Sequence, residues 1–168
     1  ALMLALVLVL SLAACAGGTA GESDKTADNA ENTASSDSDT VKIGVNNTFT
    51  GGSAAGGELE GRGIDLAAKY RDTVLGKKVE VIKADNKTDK VEAATVTTKL
   101  VDSDHVCAVI GSYGSALTMA SAEILKDREV VGMSCSATNP NVTADNPWQF
   151  RVCFIDTFQG EIMARYAY

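Results

Sequence analysis

The sequence predicts an α/β fold, a doubly wound parallel sheet with flanking helices. Three observations carry this expectation. From Val41 onward, short apolar runs alternate with longer stretches at helical spacing. The order is strand then helix, repeated, which is the signature of a parallel sheet covered on both faces. The runs also close, one after another, on small polar residues, as expected where the carboxyl ends of parallel strands line a ligand crevice.

Taken in order, VKIGV (41–45) reads as the first strand and NNTFTGGSAAGG (46–57) as a loop. ELEGRGIDLAAKYRD (58–72) reads as a helix, with Leu59, Ile64, Leu66, Ala67 and Tyr70 at roughly helical spacing. KKVEVIKAD (77–85) is a second strand. DKVEAATVTTKLVDS (89–103) is a second helix, burying Val91, Ala94, Val96 and Leu100. HVCAVIG (105–111), EVVGMS (129–134) and PWQFRVCF (147–154) are further strands. SALTMASAEILKD (115–127) and DTFQGEIMARYAY (156–168) are the remaining helices. No internal repeat is visible.

Ahead of this domain, Ala1 to Ala14 form an uncharged apolar run, shorter than the ~18 residues needed to span a bilayer. Its length suits the apolar centre of a secretory signal. Leu12-Ala13-Ala14-Cys15 resembles a bacterial lipobox, which makes Cys15 the expected lipidation site and residues 1–15 a lipoprotein signal peptide. With no Met or basic segment before it, the run reads as clipped. Residues 16–40 hold six acids against Lys25 and no apolar residue larger than alanine. They read as a disordered acidic linker, since they cannot bury enough surface to offset chain entropy.

The linker accounts for −5 of the formal net charge of −7, leaving −2 on residues 41–168 with no basic patch. Nucleic-acid binding is therefore not expected. Those 128 residues suffice for one cored domain. Cys107, Cys135 and Cys153 show neither a disulfide framework nor metal-ligand spacing, and are expected as small buried hydrophobes.

The strand ends form a polar rim: Asn46-Asn47-Thr48, Asp85-Asn86, Ser112 to Ser115, Ser134 to Thr138, and Asp156. A nucleophilic serine would need a base, yet His105 is the single histidine and precedes its strand, at the opposite end of the sheet. GSYGSA does not fit G-x-S-x-G. The glycines after the first strand follow too late, and with the wrong spacing, for a dinucleotide loop. A phosphate receiver would need acids where Asn46 and Asn47 stand. No metal or cofactor is expected.

A small zwitterion remains. The start of the third helix, at Ser115, offers free N–H groups and a partial positive charge to a carboxylate. The second corner, SCSATNP (134–140), offers carbonyls and the Ser136 and Thr138 hydroxyls.

At these residues the chain resembles the substrate-binding proteins of branched-chain amino-acid ABC transporters, the leucine/isoleucine/valine-binding family with the type I periplasmic-binding-protein fold. VKIGVNNTFTGG, EGRGIDLA, GSYGS, SCSATNP and FRVCFIDTFQG carry the resemblance. It implies two lobes closing on a ligand: residues 41–155 as the N-terminal lobe, and 156–168 as the crossover and first helix of a truncated second lobe. It implies that Ser115 binds the α-carboxylate through its hydroxyl. Thr138 would offer N–H and hydroxyl, Ser136 its carbonyl to the ammonium, and Ala137 would sit among the binding residues. Tyr113 and Gly114 would line the wall, with Asp156 and Gln159 near the crossover.

The family's first-loop aromatic is replaced by Gly56, and Thr88 and Gly114 stand where some members carry a disulfide. The acid for the ammonium and an aromatic wall would come from the second lobe. The implied partners are an amino acid, a membrane permease, and the membrane through the lipid anchor, at an extracytoplasmic location. The implied function is capture for import, not catalysis. The readings left beside it are another small polar ligand such as an amide or urea, a sensor ectodomain, and an exported α/β enzyme.

Overall fold

The computed structural model describes residues 39–168. The expected signal peptide, Cys15 and nearly all of the acidic linker lie outside the described residues. The order of elements is β1 (Thr40–Asn47), α1 (Ala54–Tyr70), β2 (Thr73–Val74), β3 (Lys77–Asp85), α2 (Lys90–Thr98), β4 (Ala108–Gly111), α3 (Ser115–Asp127), β5 (Val131–Ser134), β6 (Gln149–Arg151) and α4 (Asp156–Ala167). The six strands form one sheet in the order β2-β3-β1-β4-β5-β6. All neighbours pair in parallel except β2 with β3, which form an antiparallel hairpin. The expected fold class holds; the hairpin is an addition. Leu75 and Gly76, at φ 54 and 77, make its two-residue turn.

On one face α2 and α3 cover the sheet. Leu100, Val106, Val109 and Leu125 form the core there, flanked by Ile82, Ala84, Val101 and Val130. α2 starts at Asp89, whose carboxylate accepts from the amides of Val91 and Glu92. This satisfies two of the donors that a helix start leaves over. Its buried residues are Ala93 and Thr97, and Leu100, just beyond it, is buried as expected, whereas Val91 is 74% exposed. The reason is proximity. The Asn46 side chain bonds both Ala93 O and Thr97 Oγ1, and such contact needs small residues on the helix.

α1 lies on the other face and corrects the sequence reading twice. It begins at Ala54, inside the stretch read as loop. Its contact stripe is Gly57, Gly61 and Ile64, while Leu59, Leu66 and Tyr70 are exposed. A Cβ at Gly57 would stand 2.0 Å from Thr48 O, and one at Gly61 2.9 Å from the Phe49 ring. The helix therefore seats its glycines on the chain after β1 and turns its large side chains outward. Alongside α1 on the same face runs an apolar groove of about 520 Å³, lined by Ile64 and Ala67 of α1 and by Ile43, Val81, Ile110 and Met133 of the sheet. α4 buries no residue.

The cysteines depart from expectation as well. Cys107 is exposed, and Cys135 and Cys153 are half-buried. Cys107 sits just ahead of β4, with Sγ donating to Lys42 O.

Asp85, which ends β3, holds the loop after β1. It accepts from the amides of Phe49, Thr50 and Lys87 and from the Thr50 hydroxyl. Burial raises its pKa, but these donors outweigh it and hold the carboxyl below its ordinary value. The native state thus favours the ionised form. That stability is complete above the unfolded carboxylate range and is lost as pH falls through the depressed native value. Asp85→Asn is expected to lower the melting temperature at neutral pH and to flatten its acid dependence, in thermal melts taken from neutral pH downward. An unchanged acid limb would contradict this.

Candidate functional site

Five strand ends were expected to share the rim. The structure divides them into a buried plug and two open corners. Asn46, Asn47, Thr48 and Asn86 are fully buried. Asn46 Nδ2 is shared among Ala93 O, Thr97 Oγ1 and Ser121 Oγ. Asn86 Nδ2 donates to Asn46 Oδ1 and approaches Ser112 Oγ, and Ser112 Oγ donates to Asn46 O. Amides at the ends of β1 and β3 therefore satisfy each other and anchor β4's exit, as buried polar groups must. They are buried and hold together the strand ends that carry the two corners.

The first corner begins where β4 ends. Ser112 is buried, with its N–H donating to Thr118 Oγ1 and the Thr118 hydroxyl lying between the carbonyls of Ser112 and Gly114. Tyr113 N–H donates to Asn47 Oδ1, while its ring reaches the surface and lies on Gly56, whose added Cβ would meet it at 2.3 Å. The tyrosine thus covers the spot on α1 where the sequence has no aromatic. Gly114, at φ 95, precedes α3, and no side chain caps that helix. Its first amides are left for a ligand or solvent. Ser115 is the first helical residue. Its Oγ accepts from Asn139 N–H, so the hydroxyl proton is free to donate outward.

The second corner follows β5. Ser134 Oγ accepts from Ala137 N–H. Ala137 is fully buried and its carbonyl accepts from Arg151 and the Cys153 thiol; both its polar groups are engaged in holding the turn. Thr138 O accepts from Asp156 N–H, tying the corner to the start of α4. The Thr138 amide and hydroxyl enter none of the protein's own hydrogen bonds among the described residues. Ser136 Oγ is buried without a partner. The Asn139–Ser115 bond joins the two corners into one edge.

Sequence reasoning missed two charged residues beside this edge. Glu60 of α1 accepts from Asn47 Nδ2 through Oε2, and its Oε1 is buried without a partner. Burial, then the neighbouring Glu60 and Cys153, pushes the Cys135 thiol up. Arg151 holds the second corner from beneath, donating to Ala137 O, Asn139 O, Pro140 O and Thr143 Oγ1. In the sequence it sits inside an apolar strand, which gave no hint of a loop partner. His105 is exposed ahead of β4. Among the described residues no group of three or more His, Cys, Asp or Glu side chains could hold a metal ion.

A fold of this kind with two small-residue corners has relatives. The sequence profile of the family described as "Periplasmic binding protein" matches residues 40–168. An "Amino acid binding protein" of Pseudomonas aeruginosa is 32% identical over 130 residues, covering 75% of this chain and 35% of that protein. The crystal structure of a leucine binding protein, LivK, from Thermotoga maritima aligns with a TM-score of 0.73 at 41% identity, covering 76% of this chain and 37% of that one. The branched-chain amino acid transporter substrate binding protein LivJ from Streptococcus pneumoniae, in complex with isoleucine, aligns at 0.72 and 38% identity with the same coverage. The sheet and its helices match the type I periplasmic-binding-protein fold. The chain spans about a third of the length of these relatives.

Proposed function

The chain belongs to the periplasmic binding protein family, and from that membership we propose that it captures an amino acid with an aliphatic side chain for import by an ABC transporter. The observation that carries the reading is the joined edge. Among the described residues, Ser115 O–H, Thr138 N–H and Thr138 O–H are three donors without an internal acceptor, on segments joined by the Asn139–Ser115 bond. A carboxylate satisfies all three, at ~1.5–3 kcal/mol for each charge-assisted bond. The open start of α3 adds ~0.3–1 kcal/mol for an anion. The Ser136 carbonyl and hydroxyl then stand ready as acceptors for the ammonium, and Tyr113 and Gly114 form the adjoining wall. Residues 41–155 serve as the N-terminal lobe, with the chain from Asp156 leading into a second lobe that closes over the ligand.

The reading extends to place. The apolar run ending at Cys15 and the acidic linker suit a lipid-anchored protein outside the cytoplasm that hands its ligand to a permease. We read it as a binder rather than an enzyme, in keeping with its membership of a binding-protein family. Equilibrium dialysis tests this on the full-length protein, stripped of ligand by unfolding and refolding. Leucine, isoleucine or valine is expected to be retained stoichiometrically and recovered chemically unchanged. Retention of no amino acid, or recovery of an altered product, would overturn it.

A further inference from the structure

We infer that Arg151 is the positioning residue of the second corner, the group that aims Thr138 at a ligand's carboxylate; this rests on the amino-acid reading above. Its guanidinium is surrounded by a single loop. Nη1 donates to Ala137 O at 2.9 Å and Asn139 O at 2.8 Å, and Nη2 to Pro140 O at 3.0 Å and Thr143 Oγ1 at 2.8 Å. Among the described residues no carboxylate forms a salt bridge with it. A planar fork of donors suits this task, because it gathers several acceptors in fixed directions.

The consequence falls on Thr138. The carbonyls on either side of it, at 137 and 139, turn in to the guanidinium, while its own carbonyl is taken by Asp156 N–H. With the carbonyls at 137, 138 and 139 committed, the Thr138 amide and hydroxyl are the donors that this residue leaves open. Asn139, held at its carbonyl by Arg151, donates its amide to Ser115 Oγ. One side chain thereby governs both corners without touching the ligand. Its positive charge, paired with no carboxylate among the described residues, also favours an anion nearby.

The test uses the full-length protein and its Arg151→Lys variant, which keeps the charge but replaces the fork with a point donor. Leucine affinity is read by calorimetry, folding by thermal melting, and the Thr138 amide by ¹⁵N NMR. The expected result is a folded variant whose leucine affinity falls about tenfold or more and whose Thr138 amide lacks the downfield shift expected of the native protein on saturation. Affinity within about twofold of native, or a Thr138 amide that still shifts as in the native protein, would overturn the assignment. If the lysine variant does not fold, Thr143→Val removes one acceptor alone; a several-fold loss of affinity supports the role, and an unchanged affinity overturns it. A native protein that binds no amino acid would instead sink the underlying reading, which the same titration reports separately.

Discussion

Gly111→Ala is expected to leave the protein unable to fold at ordinary temperature. Gly111 closes β4 at φ 121, a region that side-chain-bearing residues rarely adopt. A Cβ there would lie 2.0 Å from Asn46 O. That oxygen cannot retreat, because it accepts from Ser112 Oγ and belongs to the strand at the centre of the sheet. Two penalties therefore coincide, backbone strain and a collision with fixed backbone, and the sum is expected to exceed about 4 kcal/mol. Circular dichroism of the purified variant checks this. A melting temperature within a few degrees of native would show that the β1–β4 contact yields more easily than its bonding implies.

Asn46→Leu should be almost as damaging. The two side chains share a branched outline of four heavy atoms, but leucine is bulkier, so the change replaces the amide with hydrocarbon and crowds the site as well. Asn46 is fully buried, and its amide connects β1 to α2 and α3 while its oxygen accepts from Asn86. Leucine removes that acceptor and sets a hydrocarbon among Thr97, Ser121 and Ala93 O. Leaving buried donors and acceptors short of partners costs ~1–3 kcal/mol each, so a loss of about 3 kcal/mol or more is expected in urea denaturation. Asn86 and Ser112 hold the exit of β4, so binding at the first corner should weaken in the surviving folded fraction. A loss below about 1 kcal/mol would mean that the network sets geometry with little effect on stability.

Both predictions concern residues whose importance was only half legible in the sequence. The strand KKVEVIKAD and the helix SALTMASAEILKD were read to the residue, because each has an uninterrupted period and clear punctuation at its ends. α1 was misread at its start and on its face, since hydrophobic periodicity favours large side chains while this helix meets the sheet through Gly57 and Gly61. α2 was misread for a related reason: Asn46 draws a stripe of alanine and threonine to itself.

The corners follow the same logic. Positions such as 115 and 138 could be proposed from the sequence because strand–helix junctions fall at predictable places. That Asn46, Asn86 and Ser112 form a plug under the rim was hidden, as their bonds join residues 26 to 75 positions apart. Arg151 was hidden too, with one face in a strand and its guanidinium in a loop up to fourteen residues earlier.

The central claim is that two corners, at Ser115 and Thr138, together bind the carboxylate of an amino acid. Calorimetric titration with leucine of the ligand-free full-length protein, beside its Ser115→Ala, Thr138→Ala double variant, tests it most directly. Saturable binding by the native protein is expected, with a loss of about a hundredfold or more in the variant, near 2.7 kcal/mol, and the melting temperature little changed. Equal affinity in the two proteins would contradict it, because the donors would then be facing something other than the ligand.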